Sequence, residues 1–462
     1  MIKPRIGFLI FGQHKEGTHD HMGTPHMDYP LFDRCKDAVR AYGIELVCED
    51  VVIRDKEEAK EALRKFRIDD DIDGIIMFSG TWVWSANLIA AVREYAKTGK
   101  GIVIWTLPGA TGWRTVGGLV MHGALNEIGI NHRFVYGNYD DPTQMEKIIS
   151  YCRASALKNK LNMTTVGSFG GRGMGQTVGV ADPSQVMKMF GMDIDSRDVT
   201  QLIECAKNIS TEEVEALKPR LQKLFGGLPQ EDGVTDRSLR IYLALKKKMA
   251  EWKFDYYTIQ SFPGIGDDYT ATCFAQSLML DDGLGTSTLG DFNTLLTTIA
   301  LTELSGQSVY YGDLQCIVRE ENEIRIIGDG ACPPSLAGTA DPAAYAHHGV
   351  PYEGKMDGLS VQLTCKPGEG VVARLGRING EYVMTIARCT VYEPKPEELQ
   401  NKKLECGSPM WPHAFCRIHG DLDAFIEGWN NEYACLGYGG DELYDQMSDF
   451  CELTGIRKVL IQ

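Results

Sequence analysis

The stretch Gly285–Ile317, GTSTLGDFNTLLTTIALTELSGQSVYYGDLQCI, constrains the fold more than any other part of the chain. It follows Asp281–Asp282–Gly283 and reads as a loop ending in Asp291, a helix, a Ser305–Gly306 break and a short apolar strand. Phe292, Leu295, Leu296, Ile299, Ala300 and Leu304 fall at helical spacing, which predicts one buried face. Gln307–Tyr311 reads as a strand with Gly312–Asp313 at its C-terminal end, where α/β proteins bind ligands. Asp291 is equally well read as the cap of the helix or as a site carboxylate. Asp313 is harder to account for structurally, because a buried charge needs a partner or a metal.

Around this stretch the pattern predicts an α/β fold: two doubly wound parallel-sheet domains plus a C-terminal antiparallel β-barrel-like domain. Residues 1–160 form the N-terminal α/β domain. Strand-like runs there are Ile6–Phe11, Ile44–Cys48, Gly74–Phe78 and Gly101–Leu107, alternating with helical runs Tyr29–Tyr42, Lys56–Phe66, Leu88–Lys97 and Gln144–Leu157. Trp82 and Trp84 lie in the loop after the third strand, as packing pieces or as a platform for a sugar face. Residues 161–340 form a central α/β domain carrying Asp291 and Asp313. Its glycine-rich segment Val166–Gly175 lacks the GxGxxG register and the Walker lysine, so it is a plain turn or a loop whose backbone approaches a ligand, with Arg172 and Met174 at its tip. Residues 341–462 carry β-type runs separated by Gly, Pro and Asn turns, with Gly376–Gly380 the strongest hairpin signal.

A formal net charge of −16 argues against a nucleic-acid or anionic-membrane partner. No run reaches the ~20 apolar residues of a membrane span, and the N-terminus lacks a signal-peptide pattern. Thirteen dispersed cysteines without a CxxC pair fit a cytoplasmic protein.

Several motifs together resemble the L-fucose isomerase-like and L-arabinose isomerase superfamily of sugar ketol-isomerases, nearer the fucose isomerase-like branch. They are SGTWVW at Ser79–Trp84, FVYGNYDDP at Phe134–Pro142, GGRGMGQTVGVADPSQVMKMFGMDIDSRD at Gly170–Asp198 and CFAQSLMLDDGLGTSTLGDFNTLL at Cys273–Leu296. LSGQSVYYGDL, GDGACPPSLAG, MWPHAFCRI and NNEYACLGYGGDEL continue the resemblance to the C-terminal part. It implies two α/β domains and a β domain, a homo-oligomer of trimer or hexamer type with sites near subunit interfaces, and a small-molecule sugar as substrate. It also implies proton transfer between C1 and C2 through an ene-diol, with a divalent metal, manganese first, holding the sugar oxygens. Such an ion takes oxygen and imidazole ligands and stabilises enediolate charge.

Carried over residue by residue, the resemblance keeps the strand-end acid as Asp313 and the second acid as Asp291, while Leu289 and Glu432 stand where two of the three usual metal ligands do. Trp82, Met174 and Gln260 fall where the family lines its sugar pocket; Trp411 and Arg172 are further substrate-binding candidates. Three readings of the altered site stay open. A rebuilt metal site would use Asp313, Glu432 and His413, with Asp291 or Asp329 as base. A metal-free site would use His413 and aspartate acid–base chemistry, for isomerisation, epimerisation or elimination. A catalytically silent sugar-binding paralogue would keep only the pocket. His413 also reads as a packed core residue beside Trp411. His14, His19, His21 and His26 share one loop, which is either solvated or, with Arg172 and Arg417, a source of cations for an anionic sugar such as a sulfosugar.

Overall fold

The computed structural model describes residues 1–12, 28–49, 52–109, 113–347, 357–406 and 409–462. The loop histidines at 14, 19, 21 and 26 lie outside them. Two compact units divide the chain: Ile2–Lys160 with Glu452–Thr454, and Leu161–Cys451 with Met1 and Gly455–Gln462.

In the unit Ile2–Lys160, β1 (Arg5–Phe11), β2 (Glu45–Cys48), β3 (Gly74–Ser79), β4 (Gly101–Thr106) and β5 (Arg133–Tyr136) form one parallel sheet in the order β2-β1-β3-β4-β5. β3 and β4 are buried along their whole length, as expected of apolar strands covered on both faces. The helices are α1 (Tyr29–Ala41), α2 (Lys56–Ile68), α3 (Ile89–Ala96), α4 (Arg114–Glu127) and α5 (Pro142–Leu161). α4 and β5 escape the periodicity reading. Gly117, Gly118 and Gly123 dilute the helical pattern of α4, yet Gly117 is required: a Cβ there would lie 2.2 Å from the Thr81 carbonyl oxygen. The loop carrying Trp82 follows β3, and the Trp82 and Trp84 rings meet edge to face at 6.2 Å.

In the second unit, β6 (Thr165–Phe169), β7 (Asp193–Arg197), β8 (Tyr256–Ile259) and β9 (Thr286–Ser287) make a parallel sheet ordered β7-β6-β8-β9. The strands that follow are β10 (Tyr310–Val318), β11 (Glu323–Ile327), the small pair β12 (Ala344–His347) and β13 (Leu359–Gln362), then β14 (Gly368–Ile378), β15 (Glu381–Tyr392), β16 (His413–Ile418), β17 (Tyr433–Tyr438) and β18 (Arg457–Ile461). β14, β17, β10, β11, β16 and β15 pair in that order, and β15 pairs back with β14, so six antiparallel strands close a barrel. β18 adds to β15 in parallel. The β14–β15 hairpin turns at Asn379–Gly380, both with positive φ (51° and 83°), as a two-residue primed turn requires. Ile324, Ile326, Val372, Cys389, Ala414, Cys416 and Leu436 share the core of this unit with the helices around β6–β9.

Two expectations change. Asp313 does not end a parallel strand; it lies inside β10, which continues to Val318 through a bulge between Leu314 and Cys316. Gly312–Asp313 looks like a stop in sequence, but cross-strand pairing to β11 carries the strand past it. β10 and β11, which precede residue 340, are barrel strands. The helix Phe292–Ser305 buries more than one face: Asn293, Thr294, Thr297 and Thr298 are buried beside the apolar positions. It sits against β14 and β17, and the threonines bond locally, as Thr297 Oγ1 does to the Asn293 carbonyl (2.7 Å).

Candidate active site

Loops from both halves of the second unit converge on Asp313. Across β17, Asp313 is the register partner of Tyr433, so the two side chains share one face of the sheet. Glu432 precedes Tyr433, and its carbonyl accepts the Leu314 amide at 2.7 Å. Asp329 follows β11 in the Gly328–Gly330 turn. Burial first, then the charges of Asp329 and Glu432, push the Asp313 carboxyl up to about 7. The Tyr433 hydroxyl, raised well above its ordinary range by burial and by Asp329 and Asp313, stays protonated near neutrality. It shares a 3.3 Å hydrogen bond with Thr288 Oγ1. Tyr311 packs edge to face on Tyr433 at 6.0 Å.

The glycine-rich loop closes on this cluster. The Gly173 amide donates to the Leu289 carbonyl at 2.7 Å, and the Gly171 amide to Gln260 Oε1 at 2.9 Å. Gly290 has φ +70°, and a Cβ there would lie 2.4 Å from the Gly171 carbonyl oxygen, so the two loops meet only because glycine stands here. Gln176 donates from Nε2 to Glu432 Oε1, and Arg172 donates to the Gln176 carbonyl at 3.3 Å. Arg172 and Met174 are exposed on this loop, with Met174 at φ 48°.

Asp291 is engaged on both carboxylate oxygens. One accepts the Thr294 amide (3.0 Å); the other accepts Thr294 Oγ1 (2.8 Å) and the Arg374 guanidinium (2.7 Å). It is the cap of the helix Phe292–Ser305 and half of a buried ion pair. His413 is buried in β16 and stacks on Phe415 with ring centroids 5.9 Å apart. Asp313, Ile327 and His413 are successive register partners across β10, β11 and β16. Two strand spacings put the backbones of Asp313 and His413 ~10 Å apart, on the opposite side of Asp313 from Tyr433 and Glu432. The ligand triad Asp313, Glu432 and His413 is therefore not assembled, and no group of three or more His, Cys, Asp or Glu among the described residues is placed to hold a metal ion. Buried Leu289 supplies no donor. The donor set as it stands does not fit a resident metal.

No protein-family model matches the chain. Curated relatives do. The sulfoquinovose isomerase of Priestia aryabhattai is 22% identical over 352 residues, which cover 74% of this chain and 77% of the relative. That of Clostridium sp. (strain MSTE9) is 24% identical over 306 residues, 63% and 67% of the two chains. The L-arabinose isomerase of Geobacillus thermodenitrificans is 22% identical over 344 residues, 72% and 67%. Over about three-quarters of its length the chain is similar to these sugar isomerases. The apolar Leu289 follows Thr288, whose hydroxyl bonds Tyr433, the register partner of Asp313. The sequence singles out Asp313, Asp329 and Glu432. Thr288, Gln176, Tyr311 and Tyr433 escape it, because only strand register and loop closure bring them to Asp313. Trp82 belongs to the other compact unit, and Trp411 precedes β16 by two residues. No helix among the described residues is long and apolar enough to cross a membrane.

Proposed function

We propose that this protein interconverts an aldose and its ketose through an ene-diol, with Asp313 moving the proton between C2 and C1. The observation that carries the assignment is the partly buried placement of Asp313 beside Asp329 and Glu432, which raises its carboxyl to about 7. A carboxylate in that range can take a carbon-bound proton and return it near neutral pH. In the aldose-to-ketose direction Asp313 removes the C2 proton while the C1 carbonyl oxygen gains one, giving the ene-diol. The O2 proton then leaves as Asp313 delivers its proton to C1. Tyr433, held by Thr288, is the hydroxyl donor available to a sugar oxygen. No step is routed through a metal.

The substrate class we assign is an anionic sugar of the sulfosugar kind. The names of the sulfoquinovose isomerases support this, as does exposed Arg172 on the loop that Gln176 ties to Glu432. We read the protein as a cytoplasmic homo-oligomer; its thirteen free cysteines support the compartment. One observation favours a silent sugar-binding protein instead: Leu289 at a position the resemblance assigns to a ligand. Following sulfoquinovose and neutral aldoses by NMR separates the two readings. Ketose formation supports the isomerase, and saturable binding without product supports the silent protein.

A further inference from the structure

The chain carries a formal net charge of −16, yet one pocket in it is cationic. It lies within the unit Ile2–Lys160, between α2 and α3, with a volume of about 380 Å³. Lys60, Arg64 and Arg67 line it from α2 and Arg93 from α3, against the single carboxylate of Glu94. Lys60, Arg64 and Arg67 sit at i, i+4 and i+7, so they form one stripe on the helix, where like charges at this spacing repel. Glu94 lies 2.6 Å from Lys97, which is outside the pocket lining, 3.3 Å from Arg93 and 3.8 Å from Arg67. Lys60 leans on Glu57, 2.6 Å away and outside the pocket lining. Arg64 is exposed and makes no ion pair among the described residues. The floor is apolar and buried, made by Leu63 and Tyr95, and Ala90 and Ala91 leave it open.

We infer that this pocket binds a small organic oxyanion: a phosphate or sulfonate group on a sugar-sized body. Arginine presents a planar fork that matches two oxygens of a tetrahedral anion at once. Arg64 and Arg67, one turn apart, supply two such forks, and Lys60 adds a point charge. Glu94 is neutralised chiefly by Lys97, which reaches both of its oxygens, so the rim keeps its positive charge. The carbon skeleton rests on exposed Ala90 and the aliphatic stems of the lining arginines. Bound anion removes the repulsion along α2, which free solvent only screens. This site is independent of the Asp313 cluster and of the isomerase reading.

The experiment is isothermal titration of the full chain with glucose 6-phosphate, inorganic phosphate, methanesulfonate and glucose. The expected result is a saturable glucose 6-phosphate signal that Arg64→Glu and Arg67→Glu remove, with weaker binding of the two bodiless anions through the same residues; any sugar signal lost in Arg172→Gln alone belongs to the Asp313 site. Raising the salt weakens the complex. Arg64→Glu and Arg67→Glu each weaken it at least tenfold. Arg40→Glu, the same charge change outside the pocket, leaves it unchanged, and so does Asp313→Asn. Equal affinity for inorganic phosphate and glucose 6-phosphate would mean an adventitious ion only and overturn the inference. So would binding that survives Arg64→Glu and Arg67→Glu, or no binding of glucose 6-phosphate at all.

Discussion

Arg374 on β14 donates to Asp291 at 2.7 Å, with both side chains 1% exposed. The pair ties the barrel to the first turn of the helix Phe292–Ser305, whose cap is Asp291. Removing one partner of such a pair strands a buried charge, at a cost of about 3–5 kcal/mol. Arg374→Leu is expected to lower the thermal midpoint by several degrees and to reduce soluble yield. Asp291→Asn should do so less, because the amide oxygen still accepts the Thr294 amide. Thermal melts of the three proteins check this. A stable, inactive Asp291→Asn would instead make Asp291 part of the chemistry.

Asp313 should behave in the opposite way. A carboxyl whose folded pKa is raised takes up a proton on folding, so stability is highest at low pH and falls as pH rises through the window from about 4 to about 7. At about 1.36 kcal/mol for each pH unit of that window, the cost above pH 7 is at most about 4 kcal/mol. Asp313→Asn is therefore expected to be as stable as the parent at pH 3.5 and more stable at pH 8. Chemical denaturation at the two pH values reads this directly. An Asn variant less stable at pH 8 would mean that the Asp313 carboxylate is satisfied in the fold.

His413 stacks on Phe415 inside the barrel sheet, ~10 Å in backbone spacing from Asp313. His413→Gln is expected to cost about 1–3 kcal/mol through the buried polar group, while the folded fraction keeps turnover within a few-fold. A folded His413→Gln variant with turnover down a hundredfold would return His413 to the proton path.

Arg172 tests the substrate class. Arg172→Gln should raise KM for a sulfosugar about tenfold or more, the scale of one charge-assisted contact, and leave a neutral aldose unchanged. Equal effects on both would assign Arg172 to loop structure.

The parallel sheet of the first unit is legible in sequence because β1, β3 and β4 are buried on both faces and read as apolar runs. The helix Phe292–Ser305 is legible from its cap and from Gly306, which adopts φ +68°. The full length of β10 is not, because Gly312–Asp313 carries a turn signature. What overrides that signature is pairing of Asp313–Val318 to β11, the next strand along the chain. The β14–β15 hairpin is legible from Gly376–Gly380, but the pairing of β14 with β17 is invisible to local pattern. At the site, Asp313 and Glu432 can be named from sequence. Their neighbour Tyr433 cannot, because its role follows from sharing a sheet face with Asp313. The separation of His413 from Glu432 is hidden for the same reason: sequence does not say which side of Asp313 a strand lies on.

The most direct test of the central claim is proton NMR of an aldose, sulfoquinovose first, incubated with the protein in D2O. The account predicts ketose formation with solvent deuterium entering at C1 or C2. It also predicts loss of both by at least a hundredfold in Asp313→Asn, whose melting curve shows an intact fold. A parent protein that gives neither ketose nor exchange, or an Asp313→Asn variant that retains both, would contradict it.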